Sequence, residues 1–117
     1  MKAPFIVYEH GDLMFYRTLG DLELALEPID VSSGEYACYD AEGAVVHLRI
    51  ERVSRRGFLP GSIEVVRAEP ACERRQDELT NHLQQCLRAA GESITEIERL
   101  SLAALVEQTV GRLGYSR

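Results

Sequence analysis

The feature that most constrains the fold is a series of short strand-like segments joined by turns that are too short to contain a helix. The first two segments are separated only by His10-Gly11, and a later pair is separated by Asp40-Ala41-Glu42-Gly43. Five segments are rich in β-branched and aromatic side chains: residues 4–9, 12–17, 35–39, 44–53 and 62–67. Tight turns join antiparallel neighbours, whereas parallel strands need long crossover connections. The sequence therefore predicts an antiparallel sheet of four to five strands.

Helical periodicity occurs in one short segment between the strands and in the C-terminal part of the chain. The short segment follows Thr18, and Pro28 limits its length because proline lacks the backbone N–H donor. The longest apolar stripe has the spacing of one helix face and comprises Leu79, His82, Leu83, Cys86, Leu87 and Ala90. Gly91 ends that helix, and Ser93 begins a last helix that is apolar around much of its axis. A helix of that kind is packed on two sides within the fold or is shared with a partner.

The length of the chain sets the number of domains. A chain of 117 residues can bury one hydrophobic core and is too short for two ordinary domains. The strands and helices therefore predict a single α+β domain over residues 1–117, in which an antiparallel sheet of four to five strands is combined with one short helix and two C-terminal helices packed on one face.

The charge of the chain is negative and unevenly distributed. Its 13 Lys and Arg residues face 19 Asp and Glu residues, a formal net charge of −6. Residues 1–48 hold nine acids and two bases, whereas residues 49–75 hold seven arginines and four glutamates. A negative surface repels nucleic acid and attracts basic protein partners, so we expect a basic partner and no nucleic acid. The sequence leaves open whether the arginine-rich 49–75 segment is a binding surface or only balances charge within the fold.

The sequence contains no motif for catalysis, a metal or a cofactor. The three cysteines form neither a CxxC pair nor an even disulfide set, so we expect three reduced thiols. His82 and Cys86 lie four residues apart on one helix, but two ligands do not make a zinc site, and both lie on the apolar stripe. We therefore predict no catalytic residues, no metal and no cofactor. A small enzyme stays as an alternative, because catalytic groups can come together only in the folded chain.

Several tyrosines lie among the carboxylates of the first 48 residues. Tyrosine offers a large rigid contact surface and one hydroxyl, which suits an interface anchor, and carboxylates around it speed the capture of a basic partner. The predicted partner-binding residues are Tyr16, Tyr36, Tyr39, Asp40 and Glu42. The alternative is that the tyrosines cover the edge of a small core and that the acids are only solvated.

Four motifs within about residues 12–50 form a pattern: Leu13-Met14-Phe15-Tyr16-Arg17, Leu26-Glu27-Pro28-Ile29-Asp30-Val31, Gly34-Glu35-Tyr36 and Tyr39-Asp40-Ala41-Glu42-Gly43. This pattern resembles small, mostly uncharacterised bacterial proteins, and some of those resemble immunity proteins, which neutralise a secreted toxin domain. The resemblance implies a bacterial origin, a similar N-terminal fold and an immunity function. It carries over no functional residues, and the C-terminal helices lie outside it.

These observations together predict a stoichiometric protein-binding domain, most concretely an immunity-type inhibitor that occludes a basic bacterial toxin. The alternatives are a small ligand-binding domain, an enzyme of unknown substrate, and a self-associating domain that forms a homodimer through its last helix. The N-terminal residues contain no signal-peptide hydrophobic segment, and no run of about 18 apolar residues could span a bilayer. The sequence therefore predicts a cytoplasmic protein that does not enter the membrane.

Overall fold

A computed structural model of the protein describes residues 1–54 and 61–116. The loop predicted between the last two strands falls mainly on residues 55–60, outside these ranges. Within them, five strands and five helices follow in the order β1 (Phe5–Glu9), β2 (Asp12–Tyr16), α1 (Leu19–Ala25), α2 (Pro28–Ser32), β3 (Ala37–Tyr39), β4 (Ala44–Ser54), β5 (Ser62–Arg74), α3 (Gln76–Ala89), α4 (Ile94–Glu98) and α5 (Leu102–Leu113). The strands form one antiparallel sheet in the order β2-β1-β3-β4-β5. The predicted α+β class and the antiparallel sheet are confirmed.

The β1–β2 hairpin closes through the turn that the sequence predicted. Glu9 pairs with Asp12, which leaves His10 and Gly11 as a two-residue turn. Their φ angles are 48° and 93°, the left-handed values that a tight hairpin turn requires. The hairpin therefore holds β2 beside β1 at the edge of the sheet.

Strand β1 is buried on both faces of the sheet, and this decides where the helices pack. Phe5, Ile6 and Val7 are consecutive and buried, so their side chains point alternately to opposite faces. Ile6 belongs to a core cluster with residues of α3, α4 and α5, whereas Phe5 and Val7 cluster with Leu22 of α1. The C-terminal helices share one face of the sheet, and α1 and α2 lie on the other. A strand that is apolar on both faces needs cover on both.

The helices are divided more finely than predicted. Pro28 is the first residue of α2, where its missing N–H removes no helical hydrogen bond. The last predicted helix is split into α4 and α5, because the Ser101 side chain accepts a hydrogen bond from the Ala104 N–H and begins a new helix. Helix α5 packs Leu105 and Val106 against the core cluster, while Leu113 at its end is about half exposed. No helix in the described part of the chain is long and apolar enough to cross a membrane.

Strands β4 and β5 form a ribbon that is longer than the other strands. β4 has 11 residues and β5 has 13, because β5 continues beyond its predicted end, through Pro70 to Arg74. The proline is tolerated since β5 is an edge strand. β3 has only three residues and pairs with β4 through Tyr39 and Val45 alone. The rest of β4 therefore diverges from β3.

Candidate functional site

The five predicted partner-binding residues fall into buried and exposed groups. Tyr16, Tyr39 and Asp40 are each at most 3% exposed, so their side chains offer a partner almost no surface. Tyr16 packs in the core cluster under α1, and Tyr39 packs in the cluster under α3 to α5. The core role that the sequence left as an alternative therefore describes these two tyrosines, because strand alternation turns both side chains inward. Tyr36 is half-buried, and Glu42 is exposed.

Asp40 has a structural role in the turn between β3 and β4. Its Oδ1 accepts hydrogen bonds from the backbone N–H groups of Glu42 and Ala44 at 2.9 Å, and its Oδ2 accepts one from the N–H of Lys2 at 3.1 Å. Backbone donors therefore already engage both oxygens of the Asp40 carboxylate. Glu42 lies on the same turn, at the opposite end of β3 from Tyr36. The structure therefore does not bring the predicted residues together at one site.

The outward side of α1 and α2, which we call the α1–α2 surface, exposes two large aliphatic side chains. Leu24 is 90% exposed and Ile29 is 73% exposed. Leu22 and Leu26 point into the core, so Leu24, which is two residues from each, points away from it. Val31 packs on the same core from α2, and Ile29 therefore also points outward. Two bulky apolar side chains exposed to this degree on adjacent helices are typical of an interaction surface.

The sequence interpretation missed both of these residues. Ile29 has the helical spacing of a buried face from Leu22 and Leu26, but Pro28 begins a second helix and changes the direction of that face. The sequence did indicate that Leu24 points outward. It lies between Leu22 and Leu26, which share the apolar face of the helix, and is not on that face itself.

Helices α1 and α2 carry acidic residues and no basic ones, whereas Arg17 and Arg67 line pockets beside Leu24. Neither lysine nor arginine occurs between Thr18 and Leu48. The acidic residues of α1, α2 and their flanking turns are Asp21, Glu23, Glu27, Asp30 and Glu35. Glu23 is used within the fold, because its carboxylate accepts a hydrogen bond from the N–H of Ala68 at 2.7 Å. The other carboxylates add negative charge to the helices that expose Leu24 and Ile29.

Tyr36 lies at the end of this surface, just after α2. Its hydroxyl donates a hydrogen bond to Oδ2 of Asp30 at 3.2 Å. Burial raises the pKa of Tyr36 to about 12, and the negative charges of Glu9 and Asp30 add to the increase. The hydroxyl therefore stays protonated at neutral pH and remains a hydrogen-bond donor. Of the predicted residues, Tyr36 is the one that the structure places beside the α1–α2 surface.

A shallow groove of about 480 Å³ runs between α1 and β5. Leu24, Glu27 and Pro28 line it from the helical side, and Glu64 and Arg67 line it from the strand. Leu24 therefore stands at the rim of a concave surface. A partner's side chain placed in the groove would contact an apolar group and a carboxylate together.

Three arginines of the β4–β5 ribbon, together with Arg75 just after it, are paired within the fold. Four ion pairs join arginines to glutamates: Arg49–Glu69 at 3.5 Å, Arg52–Glu64 at 3.5 Å, Arg67–Glu51 at 2.7 Å and Arg75–Glu73 at 2.8 Å. Exposed pairs of this kind contribute little stability, but each neutralises a cation at the surface. The sequence left open whether the arginines of residues 49–75 form a binding surface or balance charge within the fold. These four arginines balance the charge of neighbouring glutamates. Arg55 and Arg56 lie outside the described residues.

Cys38 and His82 lie in or against the core. All three cysteines are free thiols, and burial raises the pKa of Cys38 to about 12. The His82 ring stacks on the Tyr8 ring with their centroids 3.7 Å apart, and burial lowers the pKa of His82. Across residues 1–54 and 61–116, no group of three or more His, Cys, Asp or Glu side chains could hold a metal ion.

The fold and this surface define the protein as an α+β domain with an exposed apolar pair on two acidic helices. None of the protein-family models, curated proteins or solved structures compared with the chain matches it. Its function is therefore argued from the α1–α2 surface and from the sequence.

Proposed function

We propose that the protein is a stoichiometric protein-binding domain that captures a basic protein partner through the α1–α2 surface. The observation that carries this proposal is the near-complete exposure of Leu24 and Ile29 on helices that carry carboxylates and no basic residue. Protein interfaces combine a few apolar anchors with a polar or charged rim. A partner with the opposite charge would cover both anchors and neutralise the carboxylates around them.

The partner class follows from charge. Carboxylates such as Asp21 and Glu27 attract a positively charged protein over several ångströms and orient it before contact. Arg49, Arg52 and Arg67 of the ribbon are paired with glutamates, so they oppose this attraction less than unpaired cations would. The most concrete form of the proposal is an immunity-type inhibitor of a basic bacterial toxin, which the sequence resemblance over residues 12–50 also supports. Such an inhibitor would act by covering a cationic surface and would perform no chemistry.

A double variant tests the two apolar anchors. Leu24→Ala combined with Ile29→Ala should weaken binding of the basic partner by at least about 100-fold, because each truncated anchor of an interface removes about 2 kcal/mol. The partner is first isolated on the tagged protein from its own cells and identified by mass. The purified pair is then measured by calorimetry, which gives both the dissociation constant and the stoichiometry.

The matched control truncates two apolar residues that are about half-exposed elsewhere, in Ile94→Ala with Leu113→Ala. These residues lie on α4 and α5, on the opposite side of the sheet, and their replacement should leave the affinity unchanged within about twofold. Unchanged affinity in the Leu24 and Ile29 variant would reject the α1–α2 surface as the interface. A partner without excess positive charge would reject the electrostatic part of the proposal.

Charge reversal tests the steering separately. Glu27→Lys should slow association with the basic partner by about tenfold at low ionic strength, and the difference should disappear at high salt because mobile ions screen exposed charges. Glu107→Lys on α5 is the control of equal charge change, and stopped-flow mixing gives both rates. Equal slowing by the two variants would mean that net charge, and not this surface, guides the partner.

A further inference from the structure

The sheet has two outer edges, and other parts of the chain engage each of them. At the β2 edge, the Phe15 carbonyl accepts a hydrogen bond from the N–H of Ser116 at 2.8 Å. At the β5 edge, the Glu23 carboxylate accepts one from the N–H of Ala68 at 2.7 Å, and Pro70 has no N–H to offer. Unpaired strand edges recruit further strands, so contacts of this kind protect an edge from pairing with another chain.

A third edge arises inside the sheet, where β4 separates from β3. The two strands pair only through Tyr39 and Val45, and beyond that pair they leave a cleft of about 250 Å³, which Tyr39 and Glu78 help to line. β4 continues to Ser54 and is paired with β5 on its other side. Among the described residues, no strand, loop or side chain hydrogen-bonds to the backbone of residues 48–52 on the side away from β5. We call this stretch the open β4 edge.

The contacts of β5 show which backbone groups lie along the open β4 edge. Ala68 pairs with Leu48, and its N–H points away from β4 because it donates to Glu23. Leu48 and Ala68 therefore form a non-hydrogen-bonded pair, in which each residue turns its N–H and C=O groups away from the other. The pattern repeats every two residues, and the register has no irregularity in this part of β4. Leu48, Ile50 and Arg52 therefore direct their N–H and C=O groups to the open β4 edge.

The charges along this edge fit a second copy of the same strand. If two β4 strands pair antiparallel with Ile50 opposite Ile50, Arg49 of each copy lies opposite Glu51 of the other. Opposite charges in directly opposed positions stabilise a strand pair, and like charges destabilise it. A two-fold axis at Arg49 would oppose two arginines, and one at Glu51 would oppose two glutamates. Of the two-fold centres within the open β4 edge, Ile50 is the one that sets arginine opposite glutamate.

Arg49 and Glu51 can make these contacts and keep the ones they have. Their side chains are 45% and 40% exposed. Within the chain, Arg49 pairs with Glu69 at 3.5 Å and Glu51 pairs with Arg67 at 2.7 Å. A guanidinium has several N–H donors and a carboxylate has several acceptor positions, so each group can hold a partner on both sides. A second copy would therefore extend a row of alternating charges from one ribbon to the next.

We propose that the open β4 edge is an interface with a second copy of this chain, formed by antiparallel pairing of two β4 strands about a two-fold axis at Ile50. Leu48 of each copy would exchange hydrogen bonds with Arg52 of the other, and the two Ile50 residues with each other, about six bonds in all. Main-chain bonds supply affinity in such strand additions, and side chains supply specificity. The two-fold axis makes both halves of the interface identical, as in most homodimers. The inference does not rest on the proposed function, which uses other residues.

Sedimentation equilibrium of the full chain tests for the dimer. We expect a monomer–dimer equilibrium with a dissociation constant below about 100 μM, and not a permanent dimer, because two short strand segments make a small interface. A protein that remains monomeric up to about 1 mM would overturn the proposal.

Two charge variants test the register. Glu51→Arg would oppose two pairs of arginines in a homodimer, and Arg49→Glu would oppose two pairs of glutamates, so each variant alone should dimerise at least about tenfold more weakly. An equimolar mixture should form a heterodimer within about threefold of the natural affinity, because arginine then faces glutamate at both positions. Glu107→Arg on α5 is the control of equal charge change and should not alter dimerisation. Unweakened dimerisation of the single variants, or no recovery in the mixture, would reject the pairing at Ile50.

Amide hydrogen exchange followed by NMR locates the interface without any substitution. The N–H groups of Arg49 and Glu51 bond to β5 in the monomer, whereas those of Leu48, Ile50 and Arg52 do not. Raising the protein concentration until the dimer predominates should slow exchange at these three amides by at least about tenfold and change the other two little. A dimer in which the three amides exchange as fast as in the monomer would place the interface elsewhere, for example on α5, and would overturn the proposal.

Discussion

Asp40→Ala should lower the free energy of unfolding by about 3 kcal/mol, which corresponds to a decrease in Tm of about 12 °C for a chain of this size. The variant removes the acceptor of three backbone N–H groups, those of Lys2, Glu42 and Ala44. Hydrogen bonds to a charged acceptor contribute more than neutral ones, and donors left without a partner retain their desolvation cost. Denaturant unfolding followed by circular dichroism measures the change.

The control for this variant is Glu42→Ala, two residues further along the same turn. Glu42 is exposed, and its replacement should change the free energy of unfolding by less than about 0.5 kcal/mol. Similar small effects for both variants would show that the carboxylate of Asp40 does not hold the turn. A large loss of partner affinity in Asp40→Ala, without any loss of stability, would restore Asp40 as a direct contact.

Gly43→Ala, at the end of the same turn, should cost about 3 kcal/mol of stability for a different reason. Gly43 has a φ angle of 84°, and a Cβ built on it would lie 2.8 Å from Cα of Gln76. The backbone conformation alone disfavours an L side chain by about 1–2 kcal/mol, and the close contact with the backbone of α3 adds an overpacking cost of about the same size. Thermal unfolding of the purified variant measures the sum.

Gly34→Ala separates these two contributions. Gly34 has a φ angle of 70°, but nothing lies within 4 Å of the Cβ that alanine would add. It should therefore show only the conformational cost, about 1–2 kcal/mol. Equal destabilisation by both variants would mean that α3 shifts to accommodate a side chain at Gly43.

The turn at residues 40–43 also attaches the start of α3 to the sheet. The Gly43 carbonyl accepts a hydrogen bond from the N–H of Arg75 at 2.8 Å, and the Gln76 side chain donates to the Glu42 carbonyl at 2.9 Å. These bonds attach the start of α3 to the start of β4, and so they place Arg75 and Glu78 beside Tyr39.

Part of this architecture could be read from local sequence patterns. The His10-Gly11 turn, the strands on both sides of it and the stripe of Leu79, Leu83 and Leu87 were predicted with little error. Each depends on residues that are close in the sequence, because turn chemistry and side-chain periodicity are local properties. The end of β5 was missed, since Pro70 signals a strand end unless the strand is known to lie at the edge of the sheet.

The candidate sites could not be read in the same way. The tyrosines and carboxylates of the first 48 residues were predicted to form one surface. Tyr16 and Tyr39 instead point to opposite faces of the sheet and are buried under different helices. Tyr39 lies more than 30 positions before Glu73 and Glu78, and it comes near them only after β5 has returned along β4. No local pattern specifies that meeting.

The sequence by itself determined the α+β class, the antiparallel sheet and the excess of acidic residues over basic ones before residue 49, because these follow from periodicity, turn residues and composition. Only the tertiary structure decided that Asp40 holds a turn, that Leu24 and Ile29 face outward, and that Tyr39 lines a cleft beside Glu78. Burial and exposure depend on which elements cover each face of the sheet. That cover is supplied by segments distant in the sequence, and their positions are a property of the whole fold.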